Sequence, residues 1–215
     1  MLTVLCVLRS GGVYDYSWVE KLRRGVERNL TVPHRFACLS DVPAPCERIV
    51  LRHNWPSWWS KIECFRPDVV TGPTLYLDLD TVICGSIDPL AGLPMSFGML
   101  RNFGRAEYIG SGIMWFRDRP PAGVYERFAA DPDRLMNQYR VDKKRGAHFG
   151  DQAFIFEAVG DANIGRIQDA VPGLIRLYPR DFESGVRGGC SVAVFKGKVK
   201  PPDAMHVPQL AEAWA

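Results

Sequence analysis

Apolar runs and apolar residues spaced four apart take turns along the first third of the chain. Thr3 to Leu8 is an uninterrupted apolar run and predicts a buried strand. Tyr16 to Asn29, with Trp18, Leu22, Val26 and then Leu30 on one stripe, predicts a helix. His34 to Leu39 is a second strand, and the prolines Pro43, Pro45 and Pro56 bracket a looped region around the short apolar piece Ile49-Val50-Leu51. Trp58 to Phe65 predicts a helix that Pro67 ends, and an apolar strand follows it directly. Strand-helix-strand-helix-strand is the signature of an α/β chain with a mostly parallel sheet and helices on both faces.

Further along, Met95 to Leu100 and Gly112 to Phe116 predict strands, Ala122 to Ala130 and Asp151 to Val159 helices, Ser191 to Phe195 a late strand and Gln209 to Trp214 a closing helix. Internal repeats and low-complexity linkers are absent. With 215 residues, 47% of them hydrophobic and 24% charged, the chain has the composition of one soluble domain spanning 1–215. A net charge of +3 gives no case for nucleic acid as a partner. The one concentrated basic run, Arg140 to Arg145, is either a solvated loop or a flap that attracts phosphate. The six cysteines are scattered without a Cys-x-x-Cys pair and look like small core residues, which fits a reducing cytoplasm. Met1 to Leu8 lacks a basic leader, and no run approaches the length of a bilayer span, so no transmembrane segment is expected.

The chemistry is concentrated in Thr74 to Cys84, an apolar run holding two carboxylates, Asp78 and Asp80. Carboxylates beside a core are costly, so they belong at the open end of the strand, where period 2 directs both to one side. Two hard oxygen donors suit Mg²⁺ or Mn²⁺, whose remaining positions are filled by phosphate and water. The competing reading is a turn in which the carboxylates cap backbone N–H groups. Lys61 is a site lysine or a solvated helix lysine, Asp151 a site carboxylate or a helix cap. Trp55, Trp58 and Trp59 serve core and lid packing or a sugar platform. His34, His53, His148 and His206 are read as structural residues.

Six pieces, Thr3 to Arg9, Trp59 to Phe65, Leu75 to Pro89, Gly110 to Met114, Gly150-Asp151-Gln152 and Lys196 to Pro201, occur in the order of one family. Along nearly its whole length the chain resembles the GT-A-fold glycosyltransferases of the glycogenin and galactosyltransferase type. The resemblance implies a single-domain, Rossmann-like GT-A fold. It also implies transfer of a sugar, with retention, from a nucleotide-sugar donor of the uridine diphosphate (UDP) sugar class to an acceptor the sequence does not identify, with Mn²⁺ or Mg²⁺ as cofactor.

It further implies that Leu8, Arg9 and Tyr14 contact base and ribose, that Lys61 reaches toward the sugar nucleotide, and that Asp78 and Asp80 hold ribose and metal. Ser111 and Gly112 line the donor-sugar pocket, and Gly110 stands where an asparagine is usual. Asp151 and Gln152 face sugar and acceptor, and Lys196, Gly197 and Lys200 close over the diphosphate. The family places a histidine in the late motif as third metal ligand, whereas Val194 and Lys196 occupy the two registers here. His206, water, or the charge of Lys196 would have to replace it. Two alternatives remain: a non-catalytic nucleotide-sugar-binding module, and a haloacid-dehalogenase-like phosphatase with Asp78 as nucleophile.

Overall fold

The computed structural model describes residues 1–140, 149–183 and 190–215. Strands β1 (Leu2–Leu8), β2 (His34–Ser40), β3 (Glu47–Val50) and β4 (Thr74–Leu77) run parallel in the order β3-β2-β1-β4. After the short β5 (Val82–Ile83) come β6 (Phe97–Arg101) and β7 (Ile109–Phe116). β7 inserts antiparallel between β4 and β6, and β8 (Gly165–Arg166) lies parallel to β6 at the edge. The result is a seven-stranded α/β sheet in which β7 alone is reversed, the mostly parallel architecture predicted from sequence. β5 also joins β9 (Ile175–Leu177) and β10 (Val192–Val194) in a second, three-stranded sheet centred on β10.

Strand β1 shows why its apolar run is unbroken. Leu5 and Val7 enter one core, while Val4, Cys6 and Leu8 enter the other, so both faces of the sheet are buried. The first core contains residues of the 3₁₀ helix Ser57–Phe65, α2 (Val124–Ala130), α3 (Pro132–Gln138) and α4 (Gly150–Val159). The second contains the apolar stripe Val19, Leu22 and Val26 of α1 (Tyr16–Asn29). α1 has the predicted bounds, and Asp15 caps it by accepting the backbone N–H of Ser17 at 2.9 Å. A third, smaller core lies against α7 (Pro208–Trp214), where Leu210 and Trp214 meet Val82 and Ala193.

Two expectations are corrected. The helix Trp58 to Phe65 is a 3₁₀ helix, with every residue from Trp59 to Phe65 buried. The run Thr74 to Cys84 is not one strand: β4 stops at Leu77, a turn closed by Thr81 N–H to the Asp78 carbonyl at 3.0 Å follows, and β5 resumes. Continuing the strand would have driven Asp78 and Asp80 between the two cores, whereas the turn carries them to the sheet edge. Neither α3, α5 (Ile167–Ala170) and α6 (Arg180–Glu183) nor β8 and β9 were foreseen. Segments of two to seven residues hold too few positions to show a period. Residues 141–145 of the basic run and His148 lie outside the described residues. Among the described residues, no helix is long and apolar enough to cross a membrane.

Packing at the β6–β8 edge is tight. A Cβ on Gly165 would lie 2.7 Å from Met95 Cγ and 2.8 Å from Met95 Cβ, so a methyl group there requires a shift near the backbone. Gly165→Ala is expected to destabilise the fold by about 1–3 kcal/mol, as read by denaturant unfolding. An unchanged midpoint would contradict the packing described.

Candidate active site

Brought to one end of the sheet are the carboxyl ends of β1, β4 and β6, the start of β7, the first turn of α4 and the loop after β10, enclosing a cavity of about 810 Å³. Arg9, Tyr14, Lys61, Asp78, Asp80, Ser111, Gly112, Asp151, Gln152, Lys196, Gly197 and Lys200 all line it. Leu8 is the exception. Alternation along β1 turns its side chain, 1% exposed, into the second core, and its neighbour Val7 lines the cavity instead.

The acidic pair does not share one partner. Asp78 accepts from the Tyr76 hydroxyl at 2.6 Å and pairs with Lys61 Nζ at 3.1 Å. Lys61 also donates to Ser111 Oγ at 2.9 Å and lies 3.3 Å from Asp151 Oδ2. Asp80 Oδ2 accepts from Lys200 Nζ at 2.6 Å and from the Tyr14 hydroxyl at 2.8 Å. Thus, among the described residues, lysines and tyrosines hold these carboxylates, and the turn-capping alternative finds no support. Lys61 is buried, not solvated. Asp151 is not the cap of α4 either, since Phe149 holds that position and Asp151 sits buried in the first turn.

Charge crowding follows from this geometry. Burial pushes the Asp78 carboxyl up to about 6; Lys61 opposes the rise and Asp80 adds to it. Burial alone would lower the Lys61 ammonium, yet the carboxylates of Asp151 and Asp78 outweigh it and hold the group above its ordinary value. Burial, then the Asp80 charge, raises the Tyr14 phenol.

The chemistry of the donor set decides whether a divalent ion fits. Asp78 and Asp80 offer hard oxygens to the same cavity, but no group of three His, Cys, Asp or Glu side chains is found among the described residues. Val194 and Lys196 both line the cavity, while His206 is exposed and is not among the residues lining it, its Nε2 lying 3.4 Å from the Tyr178 phenol oxygen. The set therefore fits an ion held by two protein carboxylates and completed by substrate phosphate and water. Lys200, not Lys196, places the compensating charge on Asp80. Gly197 has φ 68, the left-handed conformation that glycine allows.

Some lining residues had no part in the sequence reading. Tyr76, two residues before Asp78, was legible from the period of the strand; Phe103 and Phe149 were not, because loop geometry places them. Near Gly110, where a side chain is missing, Gln152 Oε1 comes within 3.9 Å of the position a Cβ would take. Of the tryptophans, Trp55 and Trp59 are core residues packed on Phe128. His53 stacks on Trp55 and bonds the Tyr125 hydroxyl at 2.7 Å, a structural role; His34 likewise bonds the Val32 carbonyl.

No protein-family model and no curated protein sequence matches the chain. Solved structures do. The glycosyltransferase GlyE of Streptococcus pneumoniae TIGR4 aligns with TM-score 0.64 and 16% identity over 99% of this chain and 58% of its own. The galactosyltransferase LgtC, crystallised with donor and acceptor sugar analogues, aligns with TM-score 0.63 and 12% identity over 99% of this chain and 95% of its own. The bifunctional glycosyltransferase WbbM aligns with TM-score 0.61 and 11% identity over 100% of this chain and 49% of its own. The chain thus spans nearly all of LgtC but only 58% of GlyE and 49% of WbbM. Its fold is the GT-A fold of these glycosyltransferases.

Proposed function

We propose that the chain is a glycosyltransferase that moves a sugar from a UDP-sugar to a hydroxyl acceptor with retention, assisted by Mn²⁺ or Mg²⁺ that Asp78 and Asp80 would hold. The observation that carries this reading is the convergence of Lys61, Asp78, Asp80, Asp151 and Lys200, from separate parts of the chain, on one cavity at the carboxyl edge of the sheet. We also take residues 1–215 as one transferase domain working in the cytoplasm, a location suited to its six free thiols.

Each group has a task in this reaction. Rupture of the glycosyl phosphate bond builds negative charge on the departing diphosphate, and charge placed in advance lowers that barrier. A bound divalent ion would supply Lewis acidity to those oxygens. Lys200 turns from Asp80 onto the diphosphate, Gly197 brings backbone close to phosphate, and Tyr14 orients Asp80. Lys61 opposes the rise that burial imposes on the Asp78 carboxyl and pairs with Asp151 and Ser111, so that Asp151 faces the electron-poor sugar carbon as it forms. The phosphatase alternative is not favoured: Asp78, its required nucleophile, is tied to both Lys61 and Tyr76.

A thermal-shift panel of nucleotides and nucleotide sugars, with and without Mn²⁺, tests the proposal. UDP with Mn²⁺ is expected to raise stability by about 2.7 kcal/mol at a hundred times its Kd, more than UDP alone, and a UDP-sugar is expected to release UDP on incubation. Binding without release over hours would make the chain a nucleotide-sugar-binding module. No shift with any nucleotide would end the donor assignment.

A further inference from the structure

Trp18 stands behind the site and not in it. It does not line the cavity, yet its indole meets two aromatic rings edge-on: Tyr14, with ring centroids 4.9 Å apart and planes at 67°, and Trp214, 5.1 Å away at 68°. Edge-to-face pairs contribute beyond the area they bury and favour one angle between the rings. Trp18 belongs to the first turn of α1, and the residue after it, Val19, is anchored in the second core. Trp214 is anchored as well. It is 7% exposed in the third core, and Lys21 Nζ lies 5.5 Å over its ring and donates to its carbonyl at 2.9 Å. Trp18 is therefore a wedge between a fixed helix, a fixed ring and the ring of Tyr14.

The backbone does little to fix Tyr14. Residues 9–15 hold neither helix nor strand, and Gly11, at φ 82, is followed by a second glycine, Gly12. The position of the ring depends on what packs against it. Its hydroxyl donates to Asp80 Oδ2 at 2.8 Å, and Lys200 Nζ, which bonds the same oxygen at 2.6 Å, sits 5.3 Å over its face. Trp18 supplies the remaining contact. The third core closes the circuit, because Val82, two residues after Asp80, packs there with Leu210 and Trp214 of α7. Asp80, Tyr14, Trp18 and Trp214 are thus linked by contacts that return to the Asp80 turn.

We propose that Trp18 is a positioning residue: it clamps the Tyr14 ring so that its hydroxyl stays on Asp80, and by that route sets the acidic end of the site before the donor arrives. This rests on the glycosyltransferase reading and adds to it a residue outside the cavity through which α7 bears on donor binding. A site ordered in advance binds more tightly than one its ligand must order. A tryptophan that only filled space would change stability, and donor binding only by way of it. The two roles differ in whether the Tyr14 hydroxyl is needed.

The test is calorimetry of UDP with Mg²⁺ on the full chain, in a double-variant cycle of Trp18→Leu and Tyr14→Phe, with thermal midpoints recorded alongside. Trp18→Leu is expected to weaken UDP roughly tenfold, as is Tyr14→Phe alone. The double variant is expected to be no more than about twofold weaker than Tyr14→Phe. Trp18→Phe, which keeps an aromatic edge, is expected to stay within about threefold of the parent. An unweakened Trp18→Leu, or the same loss in both Tyr14 backgrounds, would overturn the positioning role and leave the donor reading standing. Should Trp18→Leu not fold, Trp18→Met takes its place; failure of both to fold would make Trp18 a core residue and overturn the proposal as well. A parent protein that binds no UDP would overturn the donor reading, and this inference with it.

Discussion

Asp80→Asn is expected to lower sugar transfer by on the order of 10³-fold while the protein stays folded. Asp80 is the point where Lys200, from the end of the chain, and Tyr14, from the loop after β1, meet the turn after β4. Asparagine keeps the size of the side chain but removes its charge. It therefore gives up the attraction that stations Lys200 and one of two oxygens offered to a divalent ion. Stability is expected to change by no more than about 1 kcal/mol, because the side chain of Lys200 is 25% exposed and its ammonium turns to water. Rates of UDP release and the thermal midpoint, measured on the same preparation, check both halves. Unchanged turnover would remove the acidic pair from the reaction.

Lys61→Met is expected to be the costliest single change to stability, about 3–5 kcal/mol. The side chains of Lys61 and Asp151 are 9% and 7% exposed, so removing the ammonium strands the Asp151 carboxylate in the protein interior and leaves Asp78 without its counter-charge. At ~2–4 °C per kcal/mol for a chain of this size, the midpoint is expected to fall by roughly 10 °C or more. The cause is an uncompensated charge and not a lost contact, so the double variant Lys61→Met, Asp151→Leu is expected to regain much of the loss. A double variant no more stable than the single one would contradict that account. Transfer activity is expected to vanish in both.

The sequence alone determined the α/β class, the bounds of α1 and the presence of Asp78 and Asp80 at the end of a buried strand. Each rests on a local rule: an apolar run buried on both faces, apolar residues spaced four apart, and the cost of setting carboxylates inside a core. Lys61, Asp151 and Lys200, singled out by the order of their motifs, all line the cavity. Local rules could not pair them. That Lys61 is shared by Asp78 and Asp151 while Lys200 takes Asp80 depends on segments 17, 90 and 120 residues apart meeting at one sheet edge, which only the folded chain decides. Likewise, alternation along β1 was visible, but which face held the cavity was not, so Leu8 went to the core and Val7 to the site. The three tryptophans are indistinguishable as letters. Packing on Phe128 buries two of them, while Trp58 lines the cavity.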